Sequence, residues 1–167
     1  MSGHRIRTLR PDDADRLLRF EAENRGWFEQ HIEPRGDAFY SQDGVRAHIA
    51  QFLDAHAQGR MHPCVLVDTE GAILGRANLK DIDRQAGTAE VGYRIAAACV
   101  GRGMATEALR HLIALARSDW QLKQLCAYVL PANAASARVL EKCGFRREAY
   151  TVPAREVARF TLALRAL

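Results

Sequence analysis

The sequence predicts a single α/β domain in which helices cover a mixed β-sheet. The length of 167 residues suits one domain. Hydrophobic residues make up 48% and charged residues 26% of the chain, which is the composition of a globular protein and not of a disordered one. Segments with strand-like and helix-like hydrophobic spacing follow one another in the order β-α-α-β-β-β-α-β-α-β-β. We therefore expect one layered domain over residues 1–167.

The first part of the chain predicts one strand and two helices. Residues 4–10 alternate apolar and charged side chains, which indicates a short strand. Pro11, followed by two aspartates, is a helix-start signal, and this helix should run to about Asn24. Apolar residues at helical spacing predict a second helix over about 42–58. Between the two helices, residues 25–41 combine Gly, Pro and aromatic side chains, which predicts a structured loop or a short helix.

The middle of the chain predicts a meander and a long helix. Three strand-like runs, His62–Asp68, Ile73–Asp83 and Thr88–Ala97, are separated by short turns that contain glycine. Such short connections favour antiparallel neighbours. The segment Gly103–Asp119 has an apolar stripe and is predicted to be an amphipathic helix.

The last part of the chain predicts three strands and one helix. Residues 125–130, LCAYVL, are nearly all apolar and indicate a strand buried on both faces. A helix is predicted over 134–143, with Asn133 as its N-cap. Residues 145–150 and 156–164 are expected to be the closing strands.

Several classes of protein are disfavoured by composition and spacing. The longest apolar run, 95–100, is far shorter than the ~20 residues that span a bilayer, and the start of the chain lacks the apolar core of a signal peptide. Four cysteines stand far apart, which argues against a zinc ribbon or a disulfide scaffold and favours a reducing cytoplasm. Cys126 and Cys143 are predicted to be core thiols. The six histidines lack the spacing of metal ligands, so we expect no metal site. Because the apolar runs are short, we also expect no membrane segment.

The charge balance is mildly basic. The net charge is +4, and such an excess suits an anionic partner without choosing among a nucleic acid, a nucleotide cofactor or an acidic protein. The basic residues are scattered, which argues against a tail that binds nucleic acid.

A glycine-containing loop joins the fourth strand to the long helix. Gly101 and Gly103 allow a tight turn and a close approach of the backbone to a ligand. The free N–H groups of the following helix would suit a pyrophosphate. Short glycine patterns also occur in plain strand-to-helix turns, so the loop alone leaves both readings open.

Three motifs in this order resemble the GNAT acetyltransferases, and within them the RimJ/RimL branch, which acetylates protein N-termini. The motifs are EVGYRI at 90–95, GRGMATEAL at 101–109 and N-x-x-S-x-x-VLEKCGF at 133–145. The resemblance covers nearly the whole chain. It implies the GNAT fold, a mixed and mostly antiparallel sheet of about seven strands flanked by four helices. It also implies an acyltransferase that uses acetyl-CoA as co-substrate.

The resemblance implies a set of residues that bind acetyl-CoA. The loop and first helical turn would surround the pyrophosphate with backbone N–H groups from Val100, Gly101, Arg102, Gly103, Met104 and Ala105. Val100 stands where the family usually has Gln or Arg, but backbone donors do not depend on that side chain. Arg102 is either a phosphate contact or a surface residue.

The resemblance also implies that the fourth strand and the last helix bind the pantetheine arm. Tyr93, Arg94 and Ile95 would offer backbone groups to the arm, and Asn133 would contact it besides capping its helix.

Acetyl transfer to an amine needs a base for the amine and benefits from a proton donor for the leaving thiolate. Glu90 is the candidate base, and its alternative is a structural ion pair with Arg94 on the same face of the strand. Ser136 is the candidate donor to the leaving sulfur, and its alternative is an ordinary first-turn serine. Leu140 stands where many GNAT enzymes carry a tyrosine, and it has no proton to donate.

The acceptor implied by the resemblance is the α-amine of a protein or peptide. An α-amine, with a pKa of about 8, is a better nucleophile at neutral pH than a lysine amine at about 10.4. Trp27, Phe28, Phe39 and Tyr40, near several acidic residues, either line the acceptor cleft or belong to the core. A small-molecule amine, such as a polyamine or an antibiotic, is an alternative acceptor. An alternative function is that of a non-catalytic module that binds acyl-CoA. With either function, the chain is expected to be a monomer or a homodimer.

Overall fold

The computed structural model describes residues 3–149 and 157–165. A seven-stranded sheet with the order β1-β2-β3-β4-β5-β7-β6 forms its centre. The strands are β1 His4–Thr8, β2 His62–Asp68, β3 Ile73–Asp83, β4 Thr88–Ile95, β5 Gln124–Val129, β6 Arg146–Glu148 and β7 Ala158–Ala163. The helices are α1 Ala14–Glu23, α2 Arg25–Phe28, α3 Gln42–Ala57, α4 Met104–Ser118 and α5 Ala134–Lys142.

The sheet is mixed and mostly antiparallel, as predicted. Strands β2, β3 and β4 form the predicted antiparallel meander, and only β4 and β5 pair in parallel. The described residues form five α-helices where four were predicted, because α2 forms one helical turn within the segment predicted as a loop or short helix. Both closing strands are present, although the ends predicted at Tyr150 and Glu156 lie outside the described residues.

Helices cover both faces of the sheet. Helices α1 and α3 pack on β3 and β2 on one face, whereas α4 packs on β3 and β4 on the other face and contacts α5. The core between these layers is apolar and closely filled, with Leu17, Leu66, Leu109, Leu125 and Phe160 fully buried. Burial of this kind stabilises the fold by about 1.5–3 kcal/mol for each large side chain. Among the described residues, no helix is both long and apolar enough to cross a membrane.

Strand β5 departs from the sequence prediction of burial on both faces. Leu125, Ala127 and Val129 are buried against the core, but Cys126 is only half-buried and Tyr128 is 43% exposed. The reason is that α1 and α3 cover β2 and β3 and leave the neighbouring part of this face open. One face of β5 is therefore left open.

Candidate active site

Strands β4 and β5 separate from each other near the middle of the sheet. Thr88, Ala89 and Glu90 of β4 pair with Gln124, Leu125 and Cys126 of β5, and the pairing stops there. Both strands continue, β4 to Ile95 and β5 to Val129. The sheet therefore opens into a V with Glu90 at its apex. The edge of β4 beyond the apex has backbone groups that are not used in pairing with β5.

The glycine loop lies between the end of β4 and the start of α4. Gly101 and Gly103 have φ angles of +83° and +80°, which L side chains rarely adopt. A Cβ on either residue would point into open space. Gly103 is the N-cap of α4 and supplies no side chain to the first N–H groups of the helix. These donors and the positive end of the helix dipole favour an anion, and Val100 and Arg102 beside them are exposed.

Glu90 pairs with a residue that the sequence analysis did not consider. Its Oε1 lies 3.2 Å from Nζ of Lys80, which stands directly opposite it on β3. The ion pair between Glu90 and Arg94, which was the alternative proposed from sequence, is wrong. Nη2 of Arg94 instead lies 3.1 Å from Oε1 of Glu21 on α1. The carboxylate of Glu90 is partly exposed on the open face of the sheet.

A buried polar network holds β3, β4, α1 and α3 together. Oε1 of Glu21 accepts a hydrogen bond from Nη1 of Arg76 at 2.8 Å and also pairs with Arg94. Nη2 of Arg76 donates to Nε2 of His48 at 2.8 Å, which requires a neutral ring at that nitrogen. Burial lowers the pKa of His48 to about 3. This network was not expected from the sequence, although Arg76, Asn78 and Lys80 alternate along an inner strand and mark a polar face.

Ser136 lies on the opposite face of the sheet from Glu90. Its Oγ is 3.1 Å from the hydroxyl oxygen of Tyr93, whose pKa is raised by burial. The predicted N-cap is confirmed, because Oδ1 of Asn133 accepts from the backbone N–H of Ser136 at 3.2 Å. Leu140, one turn farther along α5, is fully buried and belongs to the core. The opening between β4 and β5 therefore has a carboxylate on one side and a pair of hydroxyls on the other.

Of the two cysteines predicted as core thiols, Cys143 packs against the core and Cys126 does not. Cys126 is half-buried beside Glu90, and Cys143 is half-buried at the end of α5. Burial is the largest cause of a raised pKa for both thiols. Cys64 and Cys99 are the two buried cysteines. Among residues 3–149 and 157–165, no cluster of His, Cys, Asp or Glu could hold a metal ion.

The aromatic segment after α1 splits into core and surface residues. Phe28 is only 5% exposed and packs on Phe20, with a ring separation of 5.3 Å, so it is a core residue and does not line a cleft. Trp27 is 37% exposed. Phe39 and Tyr40 are half-buried, and the guanidinium of Arg25 lies 4.2 Å from the centre of the Tyr40 ring.

The acidic residues of this segment are partly neutralised. Arg25 pairs with Glu29 at 3.0 Å and with Asp37 at 2.9 Å. These carboxylates are therefore not an uncompensated site for a cation.

An exposed helix N-terminus therefore lies beside two parallel strands that separate. A family model described as acetyltransferase (GNAT) domain matches residues 5–146. The chain belongs to the GNAT family and is an acyltransferase.

Comparisons with individual proteins agree with this assignment. The chain is 34% identical to "Probable N-acetyltransferase YjcK" of Bacillus subtilis over 86% of this chain and 80% of the relative. It is 29% identical to the [ribosomal protein uS5]-alanine N-acetyltransferase of Escherichia coli over 87% of this chain and 76% of the relative. The structure of Mycobacterium smegmatis RimJ in complex with CoA-disulfide superposes with a TM-score of 0.87 at 22% identity, covering 96% of this chain and 81% of that one, which shows a shared fold.

Proposed function

We propose that this enzyme transfers the acetyl group of acetyl-CoA to the α-amine of a protein or peptide. The observation that carries the proposal is the opening between β4 and β5, with Glu90 at its apex and the Tyr93–Ser136 pair on the opposite face. The uS5-alanine N-acetyltransferase among the relatives supports an N-terminal α-amine as acceptor.

The coenzyme would bind through backbone groups of this chain. The segment from Gly101 to Ala105 offers N–H groups to the pyrophosphate, whereas the N–H of Val100 donates to the carbonyl of Ala97 at 3.4 Å. Gly101 and Gly103 add no side chains to this surface. Tyr93, Arg94 and Ile95 pair with β3 but not with β5, so those of their backbone groups that point away from β3 remain for the pantetheine arm. Asn133 has its amide oxygen in the N-cap, which leaves its NH₂ group for such a contact.

Glu90 would act as the general base. An ammonium acceptor must lose a proton before its nitrogen can attack, and a carboxylate at the apex is in position to take it directly or through water.

Ser136 would donate a proton to the leaving sulfur. The first helical turn and the Asn133 cap fix the backbone of Ser136, and the hydroxyl of Tyr93 restricts the direction of its Oγ. Tyr93 would thus be a positioning residue for Ser136.

Four cysteines without disulfides are consistent with a cytoplasmic enzyme.

A screen of amines by mass spectrometry tests the proposal. Purified protein and acetyl-CoA would be offered peptides that begin with alanine or serine, the same peptides with blocked N-termini and an internal lysine, and spermidine. We expect acetylation of the free N-termini and little of the blocked peptides. Preferential acetylation of spermidine would assign a small-molecule acceptor, and acetyl-CoA binding without turnover of any amine would indicate a binding module.

A further inference from the structure

Lys80 occupies the position beside the candidate base where an acceptor amine would have to lie. Its Nζ is 3.2 Å from Oε1 of Glu90. The end of its side chain also lies over Gly92, where an added Cβ would meet Nζ at 3.2 Å. Glu90 is the last residue of β4 that pairs with β5, so Gly92 belongs to the edge along the opening. The side chain of Lys80 is 40% exposed, and its amine is therefore accessible.

Lysine is scarce in this chain, which makes the position of Lys80 informative. Of the 24 lysine and arginine residues, only Lys80, Lys123 and Lys142 are lysines. Arginine would serve an ion pair with Glu90 equally well, but it stays protonated and is not a nucleophile, whereas a lysine amine can lose its proton. Lys123 and Lys142 are more exposed, and they lie beside Gly87 and at the end of α5.

We propose that Lys80 is a self-acetylation site, at which the enzyme acetylates its own side chain when no external amine is bound. This inference rests on the proposed use of acetyl-CoA and on the role of Glu90. The ammonium of Lys80 loses a proton through Glu90, and the free nitrogen attacks the thioester carbonyl carbon. The N–C bond forms and the C–S bond breaks. The thiolate of coenzyme A takes up a proton, and the nitrogen loses its second proton to solvent. One ammonium and one thioester thus give one amide, one thiol and one proton.

Self-acetylation would inhibit the enzyme. The acetylated side chain is neutral, so the ion pair with Glu90 is lost, and an acetamide group fills the space that the acceptor amine needs. A bound acceptor competes for the same position and should protect Lys80. The reaction should be slow relative to turnover of a peptide, because an α-amine is a better nucleophile at neutral pH than a lysine amine.

The experiment measures acetylation at each lysine of the full chain incubated with acetyl-CoA and no acceptor. We expect Lys80 to be modified at least about tenfold faster than the two more exposed lysines, because its amine is held at the reacting centre. The first-order rate should stay constant when the protein is diluted, as for a reaction within one molecule. A peptide that begins with alanine should slow the modification, and prior modification should lower turnover of that peptide.

Matched variants separate enzymatic from chemical acetylation. Lys123→Arg and Lys142→Arg should leave the rate at Lys80 unchanged, whereas Glu90→Gln should slow it about 10²-fold or more. The inference is overturned if the acetylation rates of the three lysines increase with their solvent exposure, or if the rate at Lys80 rises with protein concentration. Peptide acetylation with Lys80 unmodified also overturns it but leaves the proposed function standing. If acetyl-CoA does not bind and neither Lys80 nor the peptide is acetylated, both proposals fail.

Discussion

Glu90 is the residue whose replacement tests the proposed chemistry most directly. Removal of a positioned general base costs about 10²–10⁴-fold in rate, and we expect Glu90→Gln to lower kcat/KM for an alanine peptide within that range. The loss should shrink at high pH, because the free amine becomes abundant without help from the enzyme. Glu70→Gln, at the exposed turn between β2 and β3, is the matched control. Wild-type turnover of Glu90→Gln across the pH range would reduce Glu90 to the structural partner of Lys80.

Tyr93 and Ser136 should act as one unit. Ser136→Ala is expected to lower turnover about tenfold, a modest loss because water can protonate a thiolate whose pKa is about 8.5. Tyr93→Phe removes the hydroxyl that lies 3.1 Å from Oγ of Ser136 and should cost less. In the double variant the loss should equal that of Ser136→Ala alone, since neighbouring groups that work through each other are not additive. Fully additive losses in steady-state kinetics would show that Tyr93 does not position Ser136.

The ion-pair partners of single residues show where sequence reasoning stops. The sequence places Glu90 and Arg94 on one face of β4, which led to the expectation that they pair. The partner is instead Lys80, which the register of β3 on β4 brings directly opposite Glu90. Register depends on the length and geometry of the turn between the strands, and neither can be read from side-chain alternation alone.

At the scale of elements, the loop before α4 carries the coenzyme prediction. Gly103→Val should abolish acetyl-CoA binding in calorimetry, because a β-branched residue disfavours the φ of +80° and the loop must rearrange. Gly36→Val is the matched control, since Gly36 has a φ of +83° and open space around its Cα. Both variants should lose a similar amount of stability and unfold cooperatively, but only Gly103→Val should lose binding. Unchanged affinity would remove the loop from the site.

The segment from Arg25 to Tyr40 should determine the choice of acceptor. Trp27 is exposed and makes an edge-on contact with His31, so Trp27→Ala removes apolar surface from the segment with little effect on the core. We expect a higher KM for peptide acceptors and unchanged affinity for acetyl-CoA. Phe39→Ala is a less clean test, because Phe39 packs on the ring of His48. Wild-type values of both parameters for the true acceptor would exclude the segment from the acceptor site.

The elements that the sequence predicted well are those with strong local signals. The meander, α3 and α4 agree with the predicted spans because turn residues bound them and their apolar spacing is regular. The open face of β5 was missed, since LCAYVL is apolar enough for a buried strand. Whether a helix covers that face depends on the packing of α1 and α3, whose positions are set by residues far away in the sequence.

At the scale of the whole molecule, two neutral histidines connect the sheet to its surroundings, His48 from α3 and His62 to the segment that follows α4. His48 of α3 accepts a hydrogen bond at Nε2 from Arg76, and His62 of β2 accepts one at Nδ1 from Trp120. Each bond needs a lone pair on the ring, so protonation would break it. Burial lowers the pKa to about 3 for His48 and to about 4 for His62.

This arrangement predicts that the loss of stability on acidification begins at about pH 6.5, above the range in which carboxylates titrate. In the unfolded chain both histidines have a pKa of about 6.5, so below that pH the unfolded state binds protons that the folded state does not. The contribution of the two histidines to the free energy of unfolding is therefore complete above about pH 6.5. It decreases as the pH falls toward 4 and then 3, which are the pKa values of His62 and His48 in the folded state. The urea midpoint should be lower at about pH 5 than at about pH 7.5. His48→Gln should flatten this dependence, because an amide oxygen can accept the bond from Arg76 and does not titrate. An equally steep dependence in His48→Gln would mean that other groups cause the loss, and the buried contact of His48 with Arg76 would then have no part in the acid sensitivity of the fold.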